Sequence, residues 1–452
     1  MGSPERWSGR IGFILSTIGS AIGLGSIWKF PYEVGSNGGG AFLFFYILGL
    51  VLVVVPLMLL EFAMGRHGRS DAVGSIAVVA SASGASKGWR LIGALGILTS
   101  YLILSFYSVI GGWALYYLIS TLQEGLVGGT AVAAQARFDA MLASPWVMTS
   151  YHLTFMAMVA AVVARGIANG IEAACKVLMP ILIVLIVILA VYSMSEGDIG
   201  SALRFLFAIQ PSSFSAGVAL DALGLGFFSI GVGLSVMITY GSYAASNVDL
   251  RQVAVATIVG DTLVSCLAGL AVFPIVFAEK LDPASGPGLM FVTLPLAFAR
   301  LPLGTPAALT FFLLLVIAAL ASAVSLLELP TAFLQTRLSW PRPRATVFAA
   351  STCAALGLVS VLSFNLWADW HPLGAIGLEK ATAFDLLDEL TSNVLLPITG
   401  FGLAVFGGWV MAPELLAGEL HLGRFGTAVL RGLLRFVIPA SVAAAALAFI
   451  RF

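Results

Sequence analysis

Apolar residues run in long blocks along nearly the whole chain, separated by short polar intervals, with little of the strict alternation that marks a half-buried strand. A helix crossing a bilayer needs about 20 predominantly apolar residues, and about eleven blocks meet that length. They are predicted as helices at 10–36, 40–65, 88–122, 147–164, 171–194, 216–243, 251–278, 306–337, 345–364, 384–411 and 427–450, here helices 1 to 11. Two of the blocks are interrupted by paired glycines. One reads Ser20-Ala21-Ile22-Gly23-Leu24-Gly25-Ser26 and the other Ser229-Ile230-Gly231-Val232-Gly233-Leu234-Ser235. Glycine costs a helix about 1 kcal/mol relative to alanine, so each pair predicts a local opening. Backbone freed at membrane depth must be buried in protein or line a polar cavity. Close helix packing through small residues is the competing explanation.

The breaks fall in helices 1 and 6. Helices 1 to 5 (10–194) and 6 to 10 (216–411) are therefore expected to form two repeats, with helix 11 (427–450) outside them. An odd number of helices per repeat makes the repeats inverted, and matched breaks of this kind place substrate and coupling ions near the bilayer midplane.

Composition agrees with a single all-α membrane domain: mean hydropathy is +1.03 and only 10% of residues are charged, which excludes a soluble globular chain. The net charge of zero matters less than its distribution. Arg6, Arg10, Arg66, Arg69, Lys87, Arg90, Arg165, Lys176, Arg251, Arg337, Arg342 and Arg344 fall on one side. Glu124, Asp139, Glu196, Asp198, Glu279 and Asp282 fall on the other. The positive-inside rule then puts the N-terminus in the cytoplasm and, with an odd span count, the C-terminus outside. Cys175, Cys266 and Cys353 lack metal-ligand spacing and read as small buried hydrophobes. The absence of an Asn-x-Ser/Thr acceptor suits a bacterial plasma membrane. Segments 123–146, 279–305 and 365–383 either cap an outer vestibule or simply connect helices.

More specific patterns lie around the breaks: Arg10-Ile11-Gly12, Lys29-Phe30-Pro31, Asn37-Gly38-Gly39-Gly40-Ala41-Phe42, Pro56-Leu57-Met58, Glu61-Phe62-Ala63-Met64-Gly65-Arg66, Phe227-Phe228-Ser229 and Ile238-Thr239-Tyr240-Gly241-Ser242-Tyr243. Together with Ala21-Ile22-Gly23-Leu24-Gly25 they resemble the neurotransmitter:sodium symporter family over nearly the whole chain. The resemblance implies the family's 5+5 inverted-repeat, leucine-transporter-like fold, although the twelfth helix usual there is missing.

An opened helix 1 presents amide groups at Leu24 and Gly25, and an opened helix 6 presents carbonyls near Phe228, Ser229 and Gly231. Half-helix N-termini favour carboxylates and unwound carbonyls favour ammonium, so one site can hold a zwitterionic amino acid. The resemblance adds Tyr107 as a carboxylate ligand. It implies a first sodium site from Ala21, Ser26, Ser229 and Asp261, where the family usually has asparagine at the positions of Ser26 and Asp261. A second is implied at Gly19, Ile22, Ala318 and Ser322, with Ala321 where another hydroxyl is usual. A carboxylate at the depth of Asp261 costs a few kcal/mol unless paired.

Lys29 and Asp388 match the family's outer gate, with lysine in place of the usual arginine, and Phe228 and Tyr107 match its aromatic lid. Arg6 stands one place from the cytoplasmic-gate arginine, and Thr336 replaces the acid. Glu61 matches a brace for backbone amides of the opened helices. Gly170 and Pro180 frame the start of helix 5, where unwinding would admit water to the second sodium site. The resemblance implies substrate side-chain contacts at Ile103, Phe228, Gly231, Leu234, Ser322 and Leu326, and Gly231 and Leu234 are expected to leave room for an aromatic ring. The implied activity is sodium-coupled uptake of large neutral hydrophobic L-amino acids by alternating access, with no chloride requirement, since Leu225 and Asp261 depart from the anion site of animal members.

The partners are an amino acid, sodium ions and the bilayer, with no nucleic acid. His67, His152, His371 and His421 build neither a triad nor a metal site, so no enzyme is expected. A proton-driven or exchange-type permease of the same architecture and an amino-acid-sensing receptor are the alternatives.

Overall fold

The computed structural model describes residues 5–126, 129–283, 288–374 and 381–450. Within them nine unbroken helices are long and apolar enough to cross a membrane. Helix 1 makes a tenth as a bent pair, Arg10–Ala21 and Gly25–Ser36, whose halves diverge by 49°. Helix 6, expected as an eleventh, is present as Ala216–Ile230 and Val236–Ser242 with five non-helical residues between, and neither piece alone is long enough to cross.

Proline explains much of the irregularity elsewhere. Widened turns with i to i+5 hydrogen bonding occupy Gly25–Lys29, Leu50–Val54, Leu289–Thr293, Leu390–Leu395 and Leu433–Val437. Each ends two residues before a proline: Pro31, Pro56, Pro295, Pro397 and Pro439. Proline lacks the N–H and its ring crowds the carbonyl four residues back, and a wider turn relieves that crowding without ending the helix.

Helix 8, Gly304–Leu338, packs along helix 3, Arg90–Glu124, and these form the centre of the molecule. In their most apolar windows 78% and 67% of residues are buried, against 33% in helices 4 and 5, which face lipid on one side. Five shorter helices lie in stretches predicted as connections. Ala72–Ala82 follows helix 2, Ala131–Leu142 follows helix 3, Ile199–Phe207 follows helix 5, Leu289–Arg300 precedes helix 8, and Pro413–Leu420 follows helix 10. Asp71, Thr130 and Asp198 cap three of them by accepting from backbone N–H groups of the first turn. Parts of the three expected capping segments, residues 127–128, 284–287 and 375–380, lie outside the described residues. Cys175 and Cys353 are buried as expected, whereas Cys266 is only partly so.

Candidate functional site

The helix 1 break occupies Ile22, whose backbone is extended (φ −77°, ψ 94°), and Gly23; helical backbone resumes at Leu24 and runs through the widened turn Gly25–Lys29 into Phe30–Ser36. Opening the helix there leaves Leu24 N–H free to donate to the Tyr107 hydroxyl of helix 3 at 3.1 Å. A Cβ added to Gly23 would stand 2.8 Å from the Tyr107 hydroxyl and 2.8 Å from Ser322 Cβ. Glycine is thus what lets helices 3 and 8 close on the break. A Cβ on Gly25 would stand 2.9 Å from the Ser229 Cα, so the same economy brings the two breaks together.

Their junction is a buried cluster of oxygen atoms. Ser26 Oγ lies 3.4 Å from the Ala21 carbonyl and 3.0 Å from Ser229 Oγ, and donates to Asp261 Oδ1 at 2.5 Å. Ser229 Oγ donates to the same carboxylate oxygen at 2.9 Å, and the Tyr46 hydroxyl donates to Asp261 Oδ2 at 2.6 Å. All four members expected for the first cation are therefore joined through Ser26 Oγ. A carbonyl, two hydroxyls and a carboxylate are the hard oxygen donors an alkali cation requires. Of the second set, Ser322 lies against Gly23, and Gly19 faces Cys175 and Met179 of helix 5. Ile22 and Ala318 are buried on helices 1 and 8, which pack together, and Ala321 is buried without a hydroxyl to offer.

Helix 6 breaks differently. Gly231, Gly233 and Ser235 take positive φ values of 75°, 86° and 65°. The fully buried Glu61 of helix 2 braces the opened backbone, its Oε1 accepting from Gly233 N–H at 2.6 Å. Around the break lies an inner cavity of about 20 Å³ lined by Gly25, Ile103, Tyr107, Phe228, Ser229, Gly231, Leu234, Ser322 and Leu326. That is room for a water or two, not for an aromatic ring, so the expectation that Gly231 and Leu234 leave space for one does not hold in this conformation. A Cβ at Gly231 would meet only Leu234 Cδ1, at 3.6 Å, so its positive φ constrains the position at least as much as space does.

Above it an outer cavity of about 270 Å³ is lined by Trp28, Lys29, Phe106, Trp113, Phe138, Phe364 and Asp388 among others, with Tyr107 and Phe228 between the two. The expected gate pair does not meet: no ion pair within 4.0 Å joins Lys29 to Asp388 among the described residues. Lys29 Nζ sits 4.8 Å over the Phe228 ring, and Asp388 Oδ1 accepts from Ser392 Oγ at 2.9 Å. With the outer cavity open, the charges face solvent and have no need of each other.

The opposite, N-terminal face is closed. Trp7 is buried and its indole N–H donates to the Tyr240 carbonyl at 3.0 Å. Arg342, at the start of helix 9, ion-pairs with Glu328 and with Glu5 (2.6 Å), and donates to the Val163 carbonyl at 2.7 Å. Tyr243 donates to Glu328 at 2.7 Å. This closure does not use Arg6 or Thr336, both of which are exposed. The sequence signal was Leu327-Glu328-Leu329, an acid flanked by apolar residues like Glu61. A second tie runs to helix 5. Buried Glu172 accepts from Ser8 N–H at 2.7 Å and pairs with Lys176, while Glu5 accepts from Ile167 N–H at 3.2 Å. Gly170 lies in the widened turn Ile167–Glu172, between the two tied residues, and Pro180 lies within Ala173–Glu196, about two turns beyond them.

A sequence profile of the Sodium:neurotransmitter symporter family matches residues 4–136 and 142–366. An uncharacterized sodium-dependent transporter of Bacillus subtilis, YhdH, is 35% identical over 443 residues, covering 97% of this chain and 96% of its own. The bovine sodium-dependent dopamine transporter is 28% identical over 372 residues, covering 72% of this chain and 53% of its own. Among solved structures, MhsT in complex with L-phenylalanine superposes with a TM-score of 0.90 at 38% identity, covering 98% of this chain and 99% of that one.

Proposed function

Because the chain belongs to the Sodium:neurotransmitter symporter family, we propose that it carries large neutral hydrophobic L-amino acids into the cell together with sodium, by alternating access between two inverted repeats, 10–194 and 216–411. It is a multi-pass sodium-dependent transporter and not an enzyme. The observation that carries the proposal is the buried oxygen cluster of Ala21, Ser26, Ser229 and Asp261, contributed by both breaks and helix 7.

One sodium ion would sit among these oxygens, with the Ser26 and Ser229 hydroxyls keeping their protons but turning them away from Asp261, and the substrate carboxylate, held by Tyr107 and the amides of Leu24 and Gly25, would complete its shell. The carbonyls of Gly19, Ile22 and Ala318 with Ser322 Oγ would hold the second. The side chain would lie among Ile103, Phe228, Gly231, Leu234, Ser322 and Leu326, a lining with no charge to receive a charged substrate. The phenylalanine bound by MhsT supports that substrate class. Admitting such a side chain requires the inner cavity to expand from its present 20 Å³.

With the N-terminal face taken as cytoplasmic and the C-terminus external, the open outer cavity with its Lys29 and Asp388 would be the entrance, and Arg342 with Glu328 and Glu5 the closed exit. Release of Glu172 from Ser8 and of Ile167 from Glu5 would let helix 5 loosen between Gly170 and Pro180 and water reach the second ion. Chloride is not needed: Tyr46, Ser229 and Ser265 match an anion site, but Leu225 offers no donor and Tyr46 and Ser229 are engaged by Asp261.

Uptake of labelled phenylalanine into proteoliposomes tests this reading. An inward sodium gradient should drive accumulation in gluconate as well as in chloride, and tryptophan and leucine should compete better than glycine or alanine. Accumulation driven by a proton gradient alone would assign the chain a different coupling ion.

A further inference from the structure

We infer that a second, peripheral site, enclosed between helix 3, the Ala131–Leu142 helix and the Leu289–Arg300 segment, binds a small monovalent anion of the halide class. The pocket is lined by Tyr117, Thr121, Leu126, Ala134, Arg137, Phe291 and Pro295 and has a volume of about 10 Å³. That is the scale of one small occupant, far below phosphate, carboxylates and the amino-acid substrate, and a halide, somewhat larger than water, enters with a small outward shift of the lining side chains.

Its polar groups lack partners. The Tyr117 hydroxyl and Thr121 Oγ1, in residues 2% and 1% exposed, make no hydrogen bond. Neither do Arg137 Nε and Nη2. Arg137 Nη1 alone is used, donating to the Gly125 carbonyl at 3.1 Å. The nearest carboxylate, Glu124, stands 3.6 Å from Nη2, beyond hydrogen-bond reach, and is 69% exposed, so solvent weakens the pairing. The Arg137 side chain itself is only 10% exposed, and its guanidinium carbon lies 5.8 Å from the Tyr117 ring centre.

Buried donors without acceptors cost free energy, and a desolvated cation costs more. A guanidinium supplies donors only, and both hydroxyls can rotate to donate. A water would occupy the space but leave the charge to the long, solvent-exposed pairing with Glu124 alone. A halide accepts from all four groups and offsets the charge.

Such an ion would pin helix 3 to the loops that roof the outer cavity. Phe138, next to Arg137, stacks on Phe291 with centroids 5.9 Å apart and lines that cavity. The site is separate from the Asp261 cluster, so it stabilises the loops without becoming a requirement for transport.

The test is thermal unfolding of the purified full-length protein in sodium gluconate, with chloride or bromide exchanged in at constant sodium and ionic strength. The wild-type midpoint should rise with halide and saturate. Tyr117→Phe and Thr121→Val each remove one donor to a charged ligand, which should weaken the apparent halide affinity roughly tenfold or more while sodium-driven uptake persists. No halide dependence in the wild type would mean that water fills the pocket and would overturn the proposal. So would an unchanged halide response in both variants, since the ion would then act elsewhere. Chloride dependence arising at the transport site is distinguishable, because it would survive both variants and change with Asp261→Asn.

Discussion

In helix 1 the chain leaves the α conformation at Ile22 without entering the left-handed region, whereas in helix 6 three of the five residues between Ile230 and Val236 have positive φ. Both breaks carry Gly-x-Gly, yet the glycines answer different needs. Gly23 and Gly25 remove side chains that would collide with Tyr107, Ser322 and Ser229. Gly231 and Gly233 supply backbone angles that other residues reach only with strain, and a buried carboxylate holds the result in place. One break is thus fixed by its neighbours and the other by its own torsions. A repeated sequence pattern therefore marks a repeated outcome, an opened helix, and not a repeated cause.

The sharpest way to break this distinction is Gly25→Val. Its Cβ meets backbone at Ser229, which cannot swing aside as a side-chain end can, so the two breaks must separate. Overpacking of this kind costs about 1–3 kcal/mol, and because it dislocates Ser26 from Ser229, sodium-dependent substrate binding should fall by up to roughly 100-fold. Scintillation proximity binding reads this directly, and near-normal affinity would show that the close approach is dispensable.

Next in size is Glu61→Leu. Removing the acceptor orphans the Gly233 N–H in a buried site, at a cost of about 1–3 kcal/mol. The thermal midpoint should drop, and alanine substituted at Gly233 in the same background should add less than it does in the wild type, because the brace it would disturb is already gone. Full additivity of the two would remove the brace from the account.

Gly231→Ala should have the smallest effect. The space is open, so only the left-handed backbone is charged for, at about 1 kcal/mol. If this variant proved as damaging as Gly25→Val, torsion and collision would no longer separate the two breaks.

The membrane class, both breaks and Asp261 as a functional residue were legible in the sequence, since long apolar blocks, paired glycines and an intramembrane carboxylate each have few physical explanations, whereas Ala21, Ser26 and Ser229 as its partners came from the family resemblance alone. The N-terminal closure was not read. Arg342 and Glu328 are 14 positions apart on different helices, and only their packing brings them together. The short loop helices escaped because their apolar runs are too brief to separate from connections, although their Asp and Thr caps are visible. The separated Lys29 and Asp388 could not have been foreseen, because a gate's separation belongs to a conformation and a sequence specifies more than one.

The central claim, that the cluster joining the two breaks binds sodium and that Asp261 supplies the charge animal relatives take from chloride, is tested most directly by sodium titration of labelled phenylalanine binding. Wild type and Asp261→Asn would be compared in gluconate and in chloride. The account predicts sodium-dependent binding in the wild type that is the same in both salts. For Asp261→Asn it predicts a weakened sodium response in gluconate, recovered wholly or partly by chloride. Identical sodium curves for the two proteins in both salts would contradict it.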